Sequence, residues 1–554
     1  MLKVIIPSVI ITACCVVMNS GCGMLSSDSD DQDTTVQKTA MQEKLDQFAS
    51  FKLTTDISGL SSNEKQMLPL LFDAAQIMDD LFWLQNVGDK KTFLDGIKDA
   101  DTKKFALINY GPWEKLNNEK AFIESYGKKP DGACFYPKDM TKAEFEQLKD
   151  PKKTSLYTLI QRDEKGTLKV VPYHIAYKEQ LEKASKLLLE ASKLAEDPGF
   201  KKYLQMRSSA LITDNYQPSD YAWMEKNNSN VEFVIGAIEN YTDALYGYKA
   251  AYESFILIKD KVWSDKLSRY AALLPKLQKE LPVDEKYKKE VPGSDSEINV
   301  YDAIFYAGDC NDGSKTIAIN LPNDEQVQLK KGTRKLQLKN SMKAKFEKIL
   351  LPIANVLIAK DQLQYVKFDA FFNTVMFHEV AHGMGIKNTI DGKGTVRDAL
   401  KEQYSTIEEG KADIMGLYII TQLYEQGEIK EGRLKDHYVT FLAGIFRSVR
   451  FGAASAHGKA NMLRFYFFQE KGAFTRNEDG TYTVNFEKMK SAIIASVQDI
   501  LKIQGDGDYE GAKKLIEEKG SIKTLLQADL DRLKTANIPV DIFFEQGKNV
   551  MGLK

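Results

Sequence analysis

The residues best suited to chemistry lie at 378–382, in the run His378-Glu379-Val380-Ala381-His382. On a helix, positions four apart project from one face, so both imidazoles can reach a single cation. The stretch Phe371–Val380 is apolar, and Gly383 and Gly385 follow it. That pattern predicts a buried helix ending just past the second histidine. H-E-x-x-H is the spacing of a zinc site with two histidine ligands, a third protein ligand and one open position. Glu379 would stand beside the open position and take a proton from water as the nucleophile forms. The chain holds only 5 histidines, so chance placement at this spacing is rare. The alternative is a pair of core histidines on an apolar helix.

Two completions of the ligand set are conceivable. H-E-x-x-H-x-x-G-x-x-H is met at Gly385 but fails at Asn388, because Asn is a poor zinc ligand. The second uses a glutamate from a following helix. Residues 405–418 read STIEEGKADIMGLY, with Glu409 and Asp413 spaced i, i+4. Glu409 can bind the metal as third ligand, giving one Zn2+ per chain on His378, His382 and Glu409. Asp413 can accept a hydrogen bond from the outer nitrogen of a ligand histidine and fix its tautomer. Glu408 is a further carboxylate behind the ligands. Ser405-x-x-Glu408 and Thr406-x-x-Glu409 also read as capping boxes.

These helices need a body to hold them. Of the 554 residues, 43% are hydrophobic and 28% charged, enough for a sizeable core. The formal charge of −2 shows no basic excess of the kind that nucleic-acid binding requires. No apolar run reaches the length of a membrane-spanning helix. Residues 1–22 (MLKVIIPSVIITACCVVMNSGC) place one lysine before a short apolar stretch, the form of an export signal. The segment resembles a bacterial lipoprotein signal with Cys22 as the lipidated residue. Cys14, after Ile11-Thr12-Ala13, fits the usual pattern better but leaves a very short apolar region. Residues 23–38 are polar and acidic and read as a tether. An exported chain held by a lipid anchor in a bacterial cell envelope is expected. Cys134 and Cys310 remain in the mature part, free to pair or to stay as separate thiols.

From about 40 to 260 the pattern is mostly helical; Gln180–Asp197 carries a stripe at Leu181, Ala184, Leu187, Leu188, Ala191 and Leu194, ended by Pro198-Gly199. Val300–Tyr306, Lys315–Leu321 and Glu325–Lys330 read as short strands, and Ala473–Phe486 as a hairpin around Asp479-Gly480. Long helices fill 335–470, and a helical tail closes the chain. The expected class is α+β, mostly α, in two lobes.

EEGKAD resembles the E-E-C-[KR]-A-[DE] motif of the dipeptidyl peptidase III family of zinc exopeptidases. VIGAIENY (234–241), INLPN (319–323) and SAHGKAN (455–461) resemble, in the same order, further segments of that family. The resemblance implies two lobes around a wide cleft: a helical zinc-bearing lobe and a mixed lobe with a small β-barrel. It implies a short peptide substrate with a free N-terminus. Glu239 would bind the substrate ammonium, Asn320 and Asn323 its backbone, Tyr241 the tetrahedral intermediate, and His457 the region of the scissile carbonyl. Such roles suit the chemistry of these groups. The bland readings are a helix-end pair, turn residues and a helix cap. The sequence departs from the family in three respects. Its zinc motif has five residues where the eukaryotic enzymes have six, Asn461 stands where an arginine is frequent, and the chain is shorter after His457.

The expected boundaries are 39–255 for the helical part of the mixed lobe, 256–295 for a helical crossing segment and 296–334 for its β-rich part. The catalytic lobe is placed at 335–535 and a tail at 536–554. Two other functions stay open: a zinc hydrolase acting on non-peptide substrates, and a surface lipoprotein that binds peptide or metal without turnover.

Overall fold

Two apolar cores organise the protein, the first drawn mostly from residues 53–344 with Ile542 and Phe544, the second from residues 267–533. The computed structural model describes residues 38–226, 229–290 and 296–553. The signal, most of the tether and Cys22 lie outside the described residues. Among the described residues no helix is long and apolar enough to cross a membrane, and Cys134 and Cys310 are separate free thiols.

In chain order, the elements that matter begin with β1 (Phe48–Lys52) and α1 (Ser62–Asn86). Ser61 and Glu64 form a capping box at the start of α1, satisfying backbone donors that the first turn cannot. The helix buries Leu68, Leu71, Phe72, Met78 and Phe82. Against it packs α2 (Lys178–Leu194), whose expected stripe is found: Leu181, Ala184, Leu188 and Ala191 are buried, while Leu187 and Leu194 are half-buried. Pro198 belongs to the next helix rather than stopping this one. Asp197 Oδ1 accepts from Phe200 N at 2.6 Å, and proline at a first helical position loses no hydrogen bond.

The sheet consists of β2 (Val231–Glu239), β3 (Ala251–Lys259), β4 (Ser296–Gly308), β5 (Ala318–Leu321) and β6 (Thr333–Leu338). Between β3 and β4 runs α3 (Lys261–Lys279), and between β5 and β6 lies α4 (Glu325–Lys331). The strand order is β2-β3-β4-β6-β5, antiparallel except for the β4–β6 pair. Among the described residues no ladder closes it, so in place of the expected small barrel stands an open, five-stranded sheet. Its two edges touch where Asn323 Nδ2 donates to the Ile238 carbonyl at 3.2 Å.

Three expectations need correction. Glu325–Lys330 is not a strand, because Asp324 caps a helix there, its Oδ1 accepting from Val327 N at 2.9 Å. Of the alternating Val327 and Leu329 only the first is buried, and the second is 88% exposed. The boundaries at 255/256 and 334/335 fall inside β3 and β6. The 536–554 tail contains β9 (Asp541–Glu545), which pairs in parallel with β1 in register from Phe48↔Asp541 to Lys52↔Glu545.

The second core is built by α5 (Phe368–Ala381), α6 (Tyr404–Glu425), α7 (Leu434–Val449), α8 (Ala456–Glu470) and α9 (Phe486–Asp506). A hairpin of β7 (Phe474–Arg476) and β8 (Tyr482–Val484) lies between the last two helices, around the anticipated Asp479-Gly480 turn.

Candidate metal centre and cleft

Helix α5 is held by Phe371, Phe372, Met376 and Phe377, all buried, and carries His378 in its last turn and His382 at its C-cap. The chain turns away at Gly385, whose φ of +86° favours glycine and where a Cβ would meet Leu501 at 3.0 Å and Lys411 at 3.1 Å. Gln278 of α3 brackets this turn, donating to Gly385 O at 2.8 Å and accepting from Gly385 N at 3.0 Å. Helix α6 crosses α5 at Gly416. A Cβ there would lie 2.9 Å from His378 N and 3.0 Å from Phe377 O. Glycine lets the two backbones approach this closely, and it sets Glu409 and Asp413 of α6 over the imidazoles.

The four groups converge. Glu409 Oε2 lies 3.3 Å from His378 Nε2, 3.8 Å from His382 Nε2 and 3.0 Å from His457 Nε2. The Nε2 atoms of His378 and His382 are 3.2 Å apart. Adjacent donors of a tetrahedral zinc site with bonds of about 2.05 Å stand about 3.3 Å apart, so these separations fit one ion. Glu409 Oε2 is buried and accepts no well-formed hydrogen bond despite three imidazoles around it. Two ring nitrogens and an orphaned carboxylate oxygen facing one point suit a cation better than they suit each other.

The outer nitrogens fix which lone pairs face inward. His378 Nδ1 lies 2.5 Å from Asp413 Oδ1, and His382 Nδ1 lies 2.9 Å from Glu408 Oε1. Donating there, both rings leave Nε2 as the nitrogen that faces the centre and can bind a cation in place of a proton. Asp413 is held in turn by Arg464 of α8, which also donates to Gly410 O at 3.0 Å. Glu408 takes Lys411 Nζ at 2.8 Å and Gln504 Nε2 at 2.9 Å. Burial would raise the Glu408 carboxyl, but His382 and Lys411 outweigh it and hold the group down at about 2. Burial acts the same way on Asp413, where the charge of Arg464 and the bond from His378 win, again giving about 2. Glu409 is likewise lowered against burial by His378 and His457. Burial alone would push His378 down, yet Asp413 carries it up to about 10. The site therefore concentrates negative charge around nitrogen donors, the condition for binding a cation.

His378, Glu409 and His457 offer ligand atoms all within 4.8 Å of one another. His457 differs from His382 in its support. Its side chain is 63% exposed, and among the described residues no carboxylate bonds to its outer nitrogen. Ser455 caps its helix, accepting from Gly458 N at 3.0 Å, and Asn461 Nδ2 donates to His457 O at 2.8 Å. Glu379 lines the same cleft as His378 and His457. The other anticipated residues lie on the sheet. Glu239 ends β2, Asn320 is exposed on the edge strand β5, and Asn323 follows it. Tyr241 is not brought to the metal cluster: it is 80% exposed and borders a groove with Lys128 and Asp131. Asn388, rejected as a ligand, is engaged by Glu290 at 3.1 Å.

The profile of Peptidase family M49 matches residues 138–409. The solved DPP III of Caldithrix abyssi superposes with a TM-score of 0.86 at 39% identity, covering 92% of this chain and 100% of that one. This chain belongs to peptidase family M49. Another solved structure, the dipeptidyl-peptidase III of Corallococcus sp. strain EGB, gives 0.72 at 36% identity over 91% of this chain and 96% of that one. A curated relative from Arabidopsis thaliana, Nudix hydrolase 3, is 34% identical over 576 residues, 92% of this chain and 74% of that protein. The chain is thus a metallopeptidase of the dipeptidyl peptidase III type, in a family that depends on zinc.

Several residues of this M49 cleft escaped the sequence reading. Lys335 of β6, paired in register with Asn320, reaches across to Glu379 Oε2 at 3.1 Å and to the Glu379 carbonyl at 3.1 Å. Only the fold brings a strand lysine to a helix glutamate. Lys411 lay inside EEGKAD, and Arg464 stands two helical turns beyond His457, so both had a spacing signal. Gln504 had none.

Proposed function

We propose that this chain binds one zinc ion through His378, His382 and Glu409 and hydrolyses short peptides from a free N-terminus. The observation that carries this is the buried Glu409 Oε2 facing the histidine Nε2 atoms with no hydrogen bond of its own. His382 is preferred to His457 as a ligand because Glu408 anchors its outer nitrogen. When bound, zinc supplies Lewis-acid polarisation and lowers the pKa of water.

The chain's own groups do the rest. Glu379 takes a proton from the attacking water as its oxygen adds to the scissile carbonyl carbon. It then returns that proton to the amine as the C–N bond breaks. Lys335 keeps the Glu379 carboxylate in the cleft until substrate enters. Glu239 pairs with the substrate ammonium, and Asn320 and Asn323 offer donors and acceptors to an extended backbone. His457 donates to the oxygen that gains charge in the transition state. Export and lipidation at Cys22 would place this activity in a bacterial cell envelope.

The test is Glu379→Gln. The variant should keep stoichiometric zinc and bind peptide, while kcat falls by about 10²–10⁴. Retained hydrolysis removes Glu379 from the mechanism. Absence of peptide hydrolysis by the zinc-loaded wild type favours a binding protein.

A further inference from the structure

Several buried cations of this chain are held by carboxylates: Lys226 by Glu232, Arg207 by Asp220, Lys411 by Glu408, Arg464 by Asp413. Others, such as Lys249, are held by carbonyl and hydroxyl oxygens. Arg447 of α7 has neither kind of support. Among the described residues no carboxylate lies within ion-pair distance of it, and its buried Nε has no hydrogen-bond partner. Its guanidinium stands 5.5 Å from the centre of the Phe371 ring. Further cations lie nearby. Lys345 is bonded to Asp541 at 3.1 Å, which commits the acid on this side. Burial, with the charge of Arg447 beside it, pushes Arg450 down to about 10. This region holds more positive charge than it neutralises.

Arg447 also faces the chemistry. It lines a cleft of about 250 Å³ together with His378, Glu379, His457 and Asn461, bounded on the sheet side by Ile317 and Ala318. Asn461, at the position where the family often carries arginine, cannot supply a free donor pair. Its amide nitrogen is committed to Ser448 Oγ at 3.1 Å and to His457 O. Asn320 and Asn323 lie toward the other end of β5, where Asn323 meets the β2 edge next to Glu239. A peptide along this free edge strand, its amine at Glu239, would point its other terminus at Arg447. Four strand residues cover only about 10 Å at about 3.3 Å each, so the two anchors would straddle a peptide a few residues long.

We propose that Arg447 binds the C-terminal carboxylate of the substrate on the departing side of the scissile bond. It thereby selects short peptides with a free C-terminus, with the guanidinium supplied from α7 rather than from α8. The proposal rests on the peptidase reading above. A planar fork of donors matches a carboxylate in two bonds, and a half-buried guanidinium without a carboxylate partner gains from one.

The experiment compares matched tetrapeptides differing only in a C-terminal acid or amide, with the zinc-loaded full chain. Wild type should favour the acid in kcat/KM by about tenfold or more. Arg447→Met should bring acid and amide within about twofold, and Arg447→Lys should restore part of the preference. The Glu379→Gln chain should bind the acid more tightly than the amide, a readout independent of turnover. If Arg447→Met does not fold, the wild-type ratio and Arg447→Lys carry the result. Equal handling of acid and amide by wild type overturns the assignment, as does an Arg447→Met loss that leaves their ratio intact. Failure to bind or cleave either peptide sinks the peptidase reading itself.

Discussion

Asp413 serves two donors at once, the His378 Nδ1 and the Arg464 guanidinium. An amide offers one oxygen and must turn its NH2 toward one of them. Asp413→Asn should therefore weaken zinc binding by about 10–100-fold, read by competition with a chromogenic chelator. Unchanged affinity would remove Asp413 from support of the metal. The pairing was legible because Asp413 shares one short motif and one helical face with Glu409. The Lys335–Glu379 contact was not, since no local pattern links a strand to a helix 44 residues away. His437 gives a second prediction at this scale. Its Nε2 meets Asn373 Nδ2 at 3.1 Å and burial pushes its pKa down to about 4. Between about 6.5 and about 4 the unfolded chain binds a proton that the folded chain refuses. Its contribution is intact above about pH 6.5 and is lost as pH falls toward 4, by up to about 3 kcal/mol. Urea titrations from neutral to acid pH should show a steeper loss for wild type than for His437→Gln. Parallel curves would refute the assignment.

At the scale of elements, the metal centre depends on how closely α6 approaches α5. Gly416→Ala would press a methyl against the backbone of Phe377 and His378 and force the helices apart. A cost of about 1–3 kcal/mol is expected, with weaker zinc retention because Glu409 and Asp413 move with α6. Gly444 of α7 is the contrast: nothing lies within 4 Å of its would-be Cβ. Gly444→Ala should be neutral or stabilise by up to about 1 kcal/mol. Thermal midpoints of the two variants, with and without chelator, test both, and equal effects would show that the close crossing is not what matters. Helix α5 was readable because a continuous apolar run carries two histidines at i, i+4 and ends in glycines. Strand β2 was not, because Val231–Ala237 is buried throughout and shows no alternation. The four-residue reach of the Asp324 cap decided α4 against an apparent strand period.

For the whole molecule, the segment set apart as a C-terminal tail at 536–554 carries a clasp. Strand β9 pairs with β1 across almost the entire chain, and parallel pairing between such distant segments leaves no hairpin signature to find. The same β9 brings Asp541 to Lys345, both largely buried, at 3.1 Å, and its Oδ2 also accepts from Lys315 N at 3.3 Å. Burial pushes Lys345 down while Asp541 opposes it. Removing the carboxylate strands a buried ammonium beside Arg447 and Arg450, a change that typically costs about 3–5 kcal/mol. Asp541→Asn should therefore lower the unfolding midpoint of the whole protein, and deletion of 539–554 should lower it further by adding the lost ladder. Among the described residues none of His378, His382, Glu409 and Glu379 bonds to β9, so residual activity at low temperature should survive Asp541→Asn better than stability does. A folded, fully active protein of wild-type midpoint after the 539–554 deletion would show that the clasp is dispensable, and that the two ends of the chain do not hold the molecule together.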